Sequence, residues 1–219
     1  MITCRACPRL VQWREQVARE RVARFRAQEY WGRPVPGFGD PRGHILVLGL
    51  APGAHGANRT GRIFTGDRSG DFLYAALHRA GLANQPTSVS ADDGLRLHDT
   101  YIVCPVRCAP PGNSPLPDEI RRCAPWLDRE LALLPRVKVV LALGALAWRA
   151  WLDHAQRSGT PVARPRPAFA HGASAHVGER LLLGSYHVSQ QNTQTGKLTP
   201  AMFDRILERA NAAARARRG

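Results

Sequence analysis

The sequence predicts an α/β fold: a three-layer α/β/α sandwich around a central, mostly parallel four-stranded sheet, in one domain spanning 1–219. Three observations carry this. Four short apolar runs stand at 44–50, 101–106, 137–143 and 181–186. Longer helix-forming segments separate them, and crossover helices of that kind cover both faces of a parallel sheet. The third observation is size: 219 residues with 44% hydrophobic content fill one core, and two domains would be cramped.

The elements follow in order. Leu10, Val11, Trp13, Val17 and Val22 lie among arginines, so 10–25 reads as an amphipathic helix with a basic outer face. Pro34, Pro36, Gly37 and Gly39 make a loop. The run 44–50 is a buried strand, and the polar, glycine-rich 51–70 a long loop. Ser69 can cap a helix over 70–80 that Gly81 stops. A second strand spans 101–106, and a rigid Pro-rich loop 109–117. Pro117 opens a helix that ends before Pro135. The third strand is 137–143; Gly144 leads into a helix through His154, and 157–167 is a surface excursion. The fourth strand, 181–186, gives way to a polar loop over 187–197. Thr199 and Pro200 start the last helix as cap and first residue, and 212–219 should fray. Ligands of such sheets sit beyond the carboxyl ends of the strands. The loops after 50, 106 and 186 should therefore meet on one edge.

The formal net charge is +14, and all but two of the basic residues, Lys138 and Lys197, are arginines. That field favours a polyanion, nucleic acid first, although an arginine-rich genome produces the same skew. No secretory segment is visible at the N-terminus, and the longest apolar stretch, 139–148, is too short to span a bilayer. The expectation is a cytoplasmic monomer with no membrane association and no obligate protein partner.

Five cysteines is an odd number, which argues against a disulfide framework. Cys4 and Cys7 form a C-x2-C pair on a polar terminus, and Cys108 and Cys123 lie far downstream. Two segments pinned by four thiolates is the logic of a metal site, and the spacing alone leaves zinc and iron–sulfur both open. Cys104, inside a strand pattern, reads as a core cysteine.

The loop from Gly49 to Asp67 is neither a P-loop nor a dinucleotide fingerprint: the GK[ST] ending is missing and Pro52 interrupts it. Its glycines let backbone approach a ligand closely. Arg59 and Arg62 are candidates for phosphate, and Phe64 for a platform under a stacked base. Asp67 is the loop's only carboxylate. Taken singly, Phe64 is more often a core anchor and Asp67 a helix cap.

The run Gly49-Leu50-Ala51-Pro52-Gly53-Ala54-His55-Gly56-Ala57-Asn58-Arg59-Thr60-Gly61-Arg62-Ile63-Phe64-Thr65-Gly66-Asp67 resembles the first motif of the type-5 (B-type) uracil-DNA glycosylases. Val106-Arg107-Cys108-Ala109-Pro110-Pro111-Gly112-Asn113 is similar to their central motif, and the segment from Ser185 to Gly196 to their last. The likeness covers roughly the whole chain, weakest at 84–97 and 155–180. It implies hydrolysis of the N-glycosidic bond of uracil in DNA, without a lyase step. It also implies a [4Fe-4S] cluster on Cys4, Cys7, Cys108 and Cys123.

The resemblance further implies a base pocket formed by Gly49, Leu50, Ala51, Pro52 and Gly53, with Phe64 stacking on the extruded ring. His187 would donate to the departing base. The superfamily's usual Asp, Asn or Glu after the first strand is replaced by Ala51, so Asp67 falls to positioning water or stabilising the sugar cation. Asn113 would bond the base or its water. Ser189 suits a phosphate, and Gln190, Gln191 and Asn192, in the loop ending at Lys197, would wedge into the duplex. Uracil-specific iron–sulfur relatives carry Asn where this chain has Cys104, so hypoxanthine or xanthine should be accepted besides uracil. The competing expectations are a uracil-only iron–sulfur glycosylase, a non-catalytic zinc-bearing nucleic-acid-binding protein, and a metal-dependent enzyme acting on nucleotides.

Overall fold

The computed structural model describes residues 1–216. One sheet contains β1 (Phe38–Gly39), β2 (Ile45–Leu48), β3 (Thr100–Val103), β4 (Val139–Leu143), β5 (Ser174–Val177) and β6 (Arg180–Ser185). Their order is β1-β3-β2-β4-β6-β5. The inner four strands are parallel, as the apolar runs predict. The expected count of four is corrected to six, because β1 and β5 add antiparallel edges. Neither edge strand has an apolar run to announce it. β1 is two residues long, and β5 reads Ser-Ala-His-Val with alternate residues exposed.

Every residue of β2 and β4 is buried. Successive side chains point to opposite faces, so the sheet feeds two separate cores. Ile45 and Val47 pack with Leu73, Tyr74, Phe203 and Leu207. Leu46 and Leu48 pack with Leu127, Trp148, Trp151 and Leu152 on the other side. Helices α3 (Arg68–Arg79) and α7 (Pro200–Ala216) thus cover one face, and α4 (Pro117–Ala132) and α5 (Ala145–Arg157) the other. This is the three-layer sandwich.

The helices depart from expectation mainly at their ends. α1 is Pro8–Glu20, opened by Pro8 and closed where Arg21 turns to φ 50°; a 3-10 turn over Ala23–Phe25 follows. Asp67, not Ser69, caps α3. Two short helices, α2 (Ala57–Thr60) and α6 (Gln190–Gln194), occupy the segments expected to be plain loops. α7 continues through Ala216 where fraying was expected from 212, and 217–219 lie outside the described residues. Among the described residues no helix is long and apolar enough to cross a membrane.

The chain runs from β2 outward to β3, then returns to place β4 on the other side of β2. That reversal opens a crevice at the carboxyl ends of β2 and β4. The loops carrying Leu50, Cys108 and His187 leave the sheet at this same edge.

Candidate active site

A cavity of ≈ 720 Å³ lies at that edge. Its wall draws on all three predicted loops: Leu50, Ala51 and Gly53 after β2, Asn113 after β3, and His187 after β6. Phe64 and Asp67 complete it from the far end of the glycine-rich loop. Asp67 and His187 therefore face one space although 120 positions separate them in the chain.

Asp67 does two things at once. Its Oδ1 accepts from Gly70 N at 3.0 Å, which makes it the α3 cap. Its Oδ2 is wrapped by the Gly53–Gly56 turn. A Cβ on Gly53 would stand 2.8 Å from that oxygen, and one on Gly56 would overlap it. Both positions need glycine for this close approach. Burial pushes the Asp67 carboxyl above the usual carboxylate range, against the Gly70 and Ser69 amides, which pull it down. A raised carboxyl is a stronger base toward water.

Phe64 sits at φ 51°, a conformation that costs a bulky residue energy. Its carbonyl touches α3 at Gly70, where any Cβ would collide with it. The ring lies 6.2 Å from the His187 ring and packs over Gly49. It is both a core anchor and part of the cavity wall. His187 is held by a bond from Asn192 Nδ2 to its carbonyl, 2.8 Å, and its Cβ rests against Gly144 at the end of β4. Burial lowers the imidazole to about 4, so the ring is neutral at physiological pH. Asn113 stands exposed on the rim at φ 54°, which asparagine tolerates better than most residues.

Several expected site residues lie elsewhere. Gly49, Pro52 and Cys104 are not on the cavity wall; a Cβ on Gly49 would meet Cys104 Sγ at 2.8 Å and the Phe64 ring at 2.9 Å, so Cys104 packs beneath the floor. Burial pushes the Cys104 thiol up to about 12, so it stays protonated.

Arg59 and Arg62 are corrected outright as phosphate contacts. They are 7% and 5% exposed, and their guanidinium groups are spent on the interior. Arg59 bonds His55 O, Gln28 Oε1 and Gly66 O. Arg62 pairs with Asp93 at 2.7 Å and bonds Thr65 and Ser88. These arginines knit the glycine-rich loop together. Asp93→Ala is expected to cost about 3 kcal/mol or more in urea unfolding, because it strands the Arg62 charge in the interior. An unchanged midpoint would mean that Arg62 finds another partner.

Ser189 caps α6, its Oγ accepting from Asn192 N at 3.4 Å. Gln190 and Gln191 are exposed at the cavity rim, where a wedge would be. Asn192 instead braces His187, and Lys197 lies over the Tyr186 ring at 4.9 Å. The sequence reading missed His55, Arg68 and Ser69, which also line the cavity. The signal available was their place in the motif, beside Gly56 and Asp67.

Cys4 and Cys7 before α1, Cys108 after β3 and Cys123 in α4 are near enough to influence one another's charge, although among the described residues no group of three or more is gathered as a metal site. Arg14, 2% exposed, donates to Cys108 Sγ at 2.9 Å and to Cys4 O at 3.1 Å. Arg122 donates to Ala6 O, and Arg9 clasps Glu119 with two bonds of 2.8 Å. Burial raises the Cys123 thiol to about 12, and the neighbouring Cys108 and Cys7 push it the same way. Burial also raises Cys108, with Cys4 and Cys7 adding to it and Arg14 opposing. An all-sulfur donor set with a buried cation bonded to one sulfur fits a soft metal centre that holds its ligands as thiolates.

The family model described as the uracil DNA glycosylase superfamily matches residues 36–211. A type-5 uracil-DNA glycosylase of Mycobacterium bovis is 58% identical over 209 residues, 94% of this chain and 76% of the relative. One from Thermus thermophilus is 55% identical, covering 96% of this chain and 93% of the relative. One from Pyrobaculum aerophilum is 45% identical, covering 97% and 89%. A site built from these three loops, together with likeness of this extent, places the chain in the uracil-DNA glycosylase superfamily, where it belongs to the type-5 family.

Proposed function

We propose that the chain hydrolyses the N-glycosidic bond of uracil in DNA, leaving an abasic site and an intact strand. The observation that carries this is the shared cavity: a half-buried, neutral imidazole and a half-buried carboxylate on one wall with an aromatic floor. Uracil cannot be attacked while stacked, so it must be extruded into a pocket, and Phe64 offers the ring a flat face. Bond cleavage develops negative charge on the base and positive charge on the sugar. Neutral His187 donates to the base oxygen as its charge grows, where preorganised donors stabilise most. The Asp67 carboxylate, on the cavity wall, holds the water and opposes the sugar cation. Asn113 bonds the base or that water from the rim, and Gln190 and Gln191 fill the gap in the duplex.

Cys4, Cys7, Cys108 and Cys123 would hold a [4Fe-4S] cluster. Bound there, the cluster supplies a structural tie between the N-terminal segment and α4, with no part in bond cleavage. Arg14 keeps the N-terminal segment and the Cys108 sulfur in register for it. The protein acts as a cytoplasmic monomer on the nucleoid.

The end of β3 offers no amide to read uracil, since Cys104 lies below the floor, and the cavity has room for a purine. Hypoxanthine or xanthine is therefore released as well.

The test is incubation with oligonucleotides carrying one uracil, hypoxanthine or xanthine, in EDTA. Free base and an alkali-labile site are expected, with no strand break before alkali. Purified protein should carry iron and acid-labile sulfide in equal amounts. Release of uracil alone sinks the wider substrate range; no release, or a need for divalent metal, sinks the glycosylase reading.

A further inference from the structure

Among the cavity-wall side chains with no part in the chemistry above are His55 and Arg68. His55 lies between Gly53 and Gly56, on the turn that packs against Asp67 Oδ2. Its Nδ1 is 3.2 Å from the hydroxyl of buried Tyr30, and the two rings meet edge-on. A phenol O–H is the better donor and an unprotonated imidazole nitrogen the better acceptor, so this bond runs from Tyr30 to Nδ1. The ring proton then belongs on Nε2. Burial, followed by Arg24 and Arg59, holds His55 below the ordinary imidazole range, so the ring is a neutral donor in one tautomer.

Arg68 is the residue after Asp67, exposed at the start of α3. His55 and Arg68 thus reach the wall of one cavity from two segments. The exposed Arg68 cation has the sign that draws a DNA backbone to the cavity mouth. A nucleotide swung out of the helix brings its own phosphodiesters to this rim. A fixed N–H and a guanidinium on one cavity wall suit one of them, since both donate to phosphate oxygen and the cation adds charge.

We propose that His55, set in its tautomer by Tyr30, and Arg68 form a subsite for a phosphodiester flanking the extruded nucleotide. The subsite rests on the glycosylase reading and deepens it. His55→Ala should raise KM about tenfold on uracil-containing DNA and leave kcat within about twofold, the loss of one charge-assisted bond. His55→Gln keeps a donor at similar reach and should restore most of the KM. Tyr30→Phe should raise KM by a smaller factor, because the tautomer is no longer held. Arg68→Ala should also lower the slope of log KM against log salt by about one.

Substrates carrying a single neutral methylphosphonate, placed in turn at each phosphate near the uracil, locate the contact. At one position the methylphosphonate should cost the wild type the same factor as His55→Ala and cost the variant nothing further. Losses that multiply at every position overturn the subsite, as does a His55→Ala defect confined to kcat. Should His55→Ala fail to fold, Arg68→Ala at an exposed position runs the same cycle. Uracil release by the wild type from the unmodified strand is measured first. Its absence removes the glycosylase reading itself, whereas release with independent losses removes only the subsite.

Discussion

His187→Ala is expected to lower kcat for uracil release by about 10²- to 10³-fold with little change in KM, the usual loss for a donor aimed at developing charge. The imidazole sits against Gly144 and near the Phe64 ring, too buried to charge easily, and its pKa falls to about 4. On the proposed mechanism the active form is the neutral one. Between about pH 5 and pH 8 the rate should show no alkaline fall owing to this residue, because the ring is deprotonated throughout. The same shift has a stability consequence of definite sign. The folded pKa lies below the ordinary value of 6.5, so the unfolded chain binds the extra proton. This contribution is complete above 6.5 and is lost as pH falls toward 4. His187→Ala should remove that part of the acid sensitivity. A rate that falls through pH 6.5 as the pH rises would show instead that a cationic imidazole does the work.

Asp67→Asn is expected to cost about 10²- to 10⁴-fold in kcat while leaving the protein as stable as the wild type or more so. The two effects separate because the two oxygens have different duties. Asparagine keeps an acceptor for the Gly70 amide, so α3 stays capped. It removes a negative charge whose burial has raised its pKa. A carboxyl with a raised folded pKa weakens the fold at neutral pH, and the weakening disappears as pH falls below it. Asp67→Ala should lose the same activity but also about 1 kcal/mol of capping. Comparing midpoints of thermal unfolding with single-turnover rates for both variants checks this. Full activity in the asparagine variant would remove Asp67 from the chemistry and leave it a cap alone.

Much of this site was readable one residue at a time, and the reading failed where burial decides. Phe64 and Asp67 each suit a structural or a functional duty by sequence; the structure makes one a core residue and the other a helix cap, with both on the cavity wall. The cavity floor and the α3 cap are made from the same atoms that face the cavity. Arg59 and Arg62 misled for the opposite reason: arginines in a polar loop resemble surface cations. Here they fold inward onto Gln28, Gly66, Ser88 and Asp93, partners that no local pattern reveals. Arg68 lies only a few positions beyond and is exposed at the cavity. Cys104 was misplaced by one layer, since a residue just past a strand end can face the ligand or sit under the residue that does.

The amino-acid sequence alone determined the α/β class, the four parallel strands and the helices between them. Periodicity and helix-ending residues act over a few neighbours, and the sheet needs no other instruction. Its motifs also assigned Asp67, His187 and the four cysteines to their segments. Only the folded chain decided which of those side chains share a space, which arginines are interior, and that two antiparallel strands close the edges. Those outcomes depend on contacts between residues dozens of positions apart. Desolvation at such contacts sets both the charge on His187 and the basicity of Asp67.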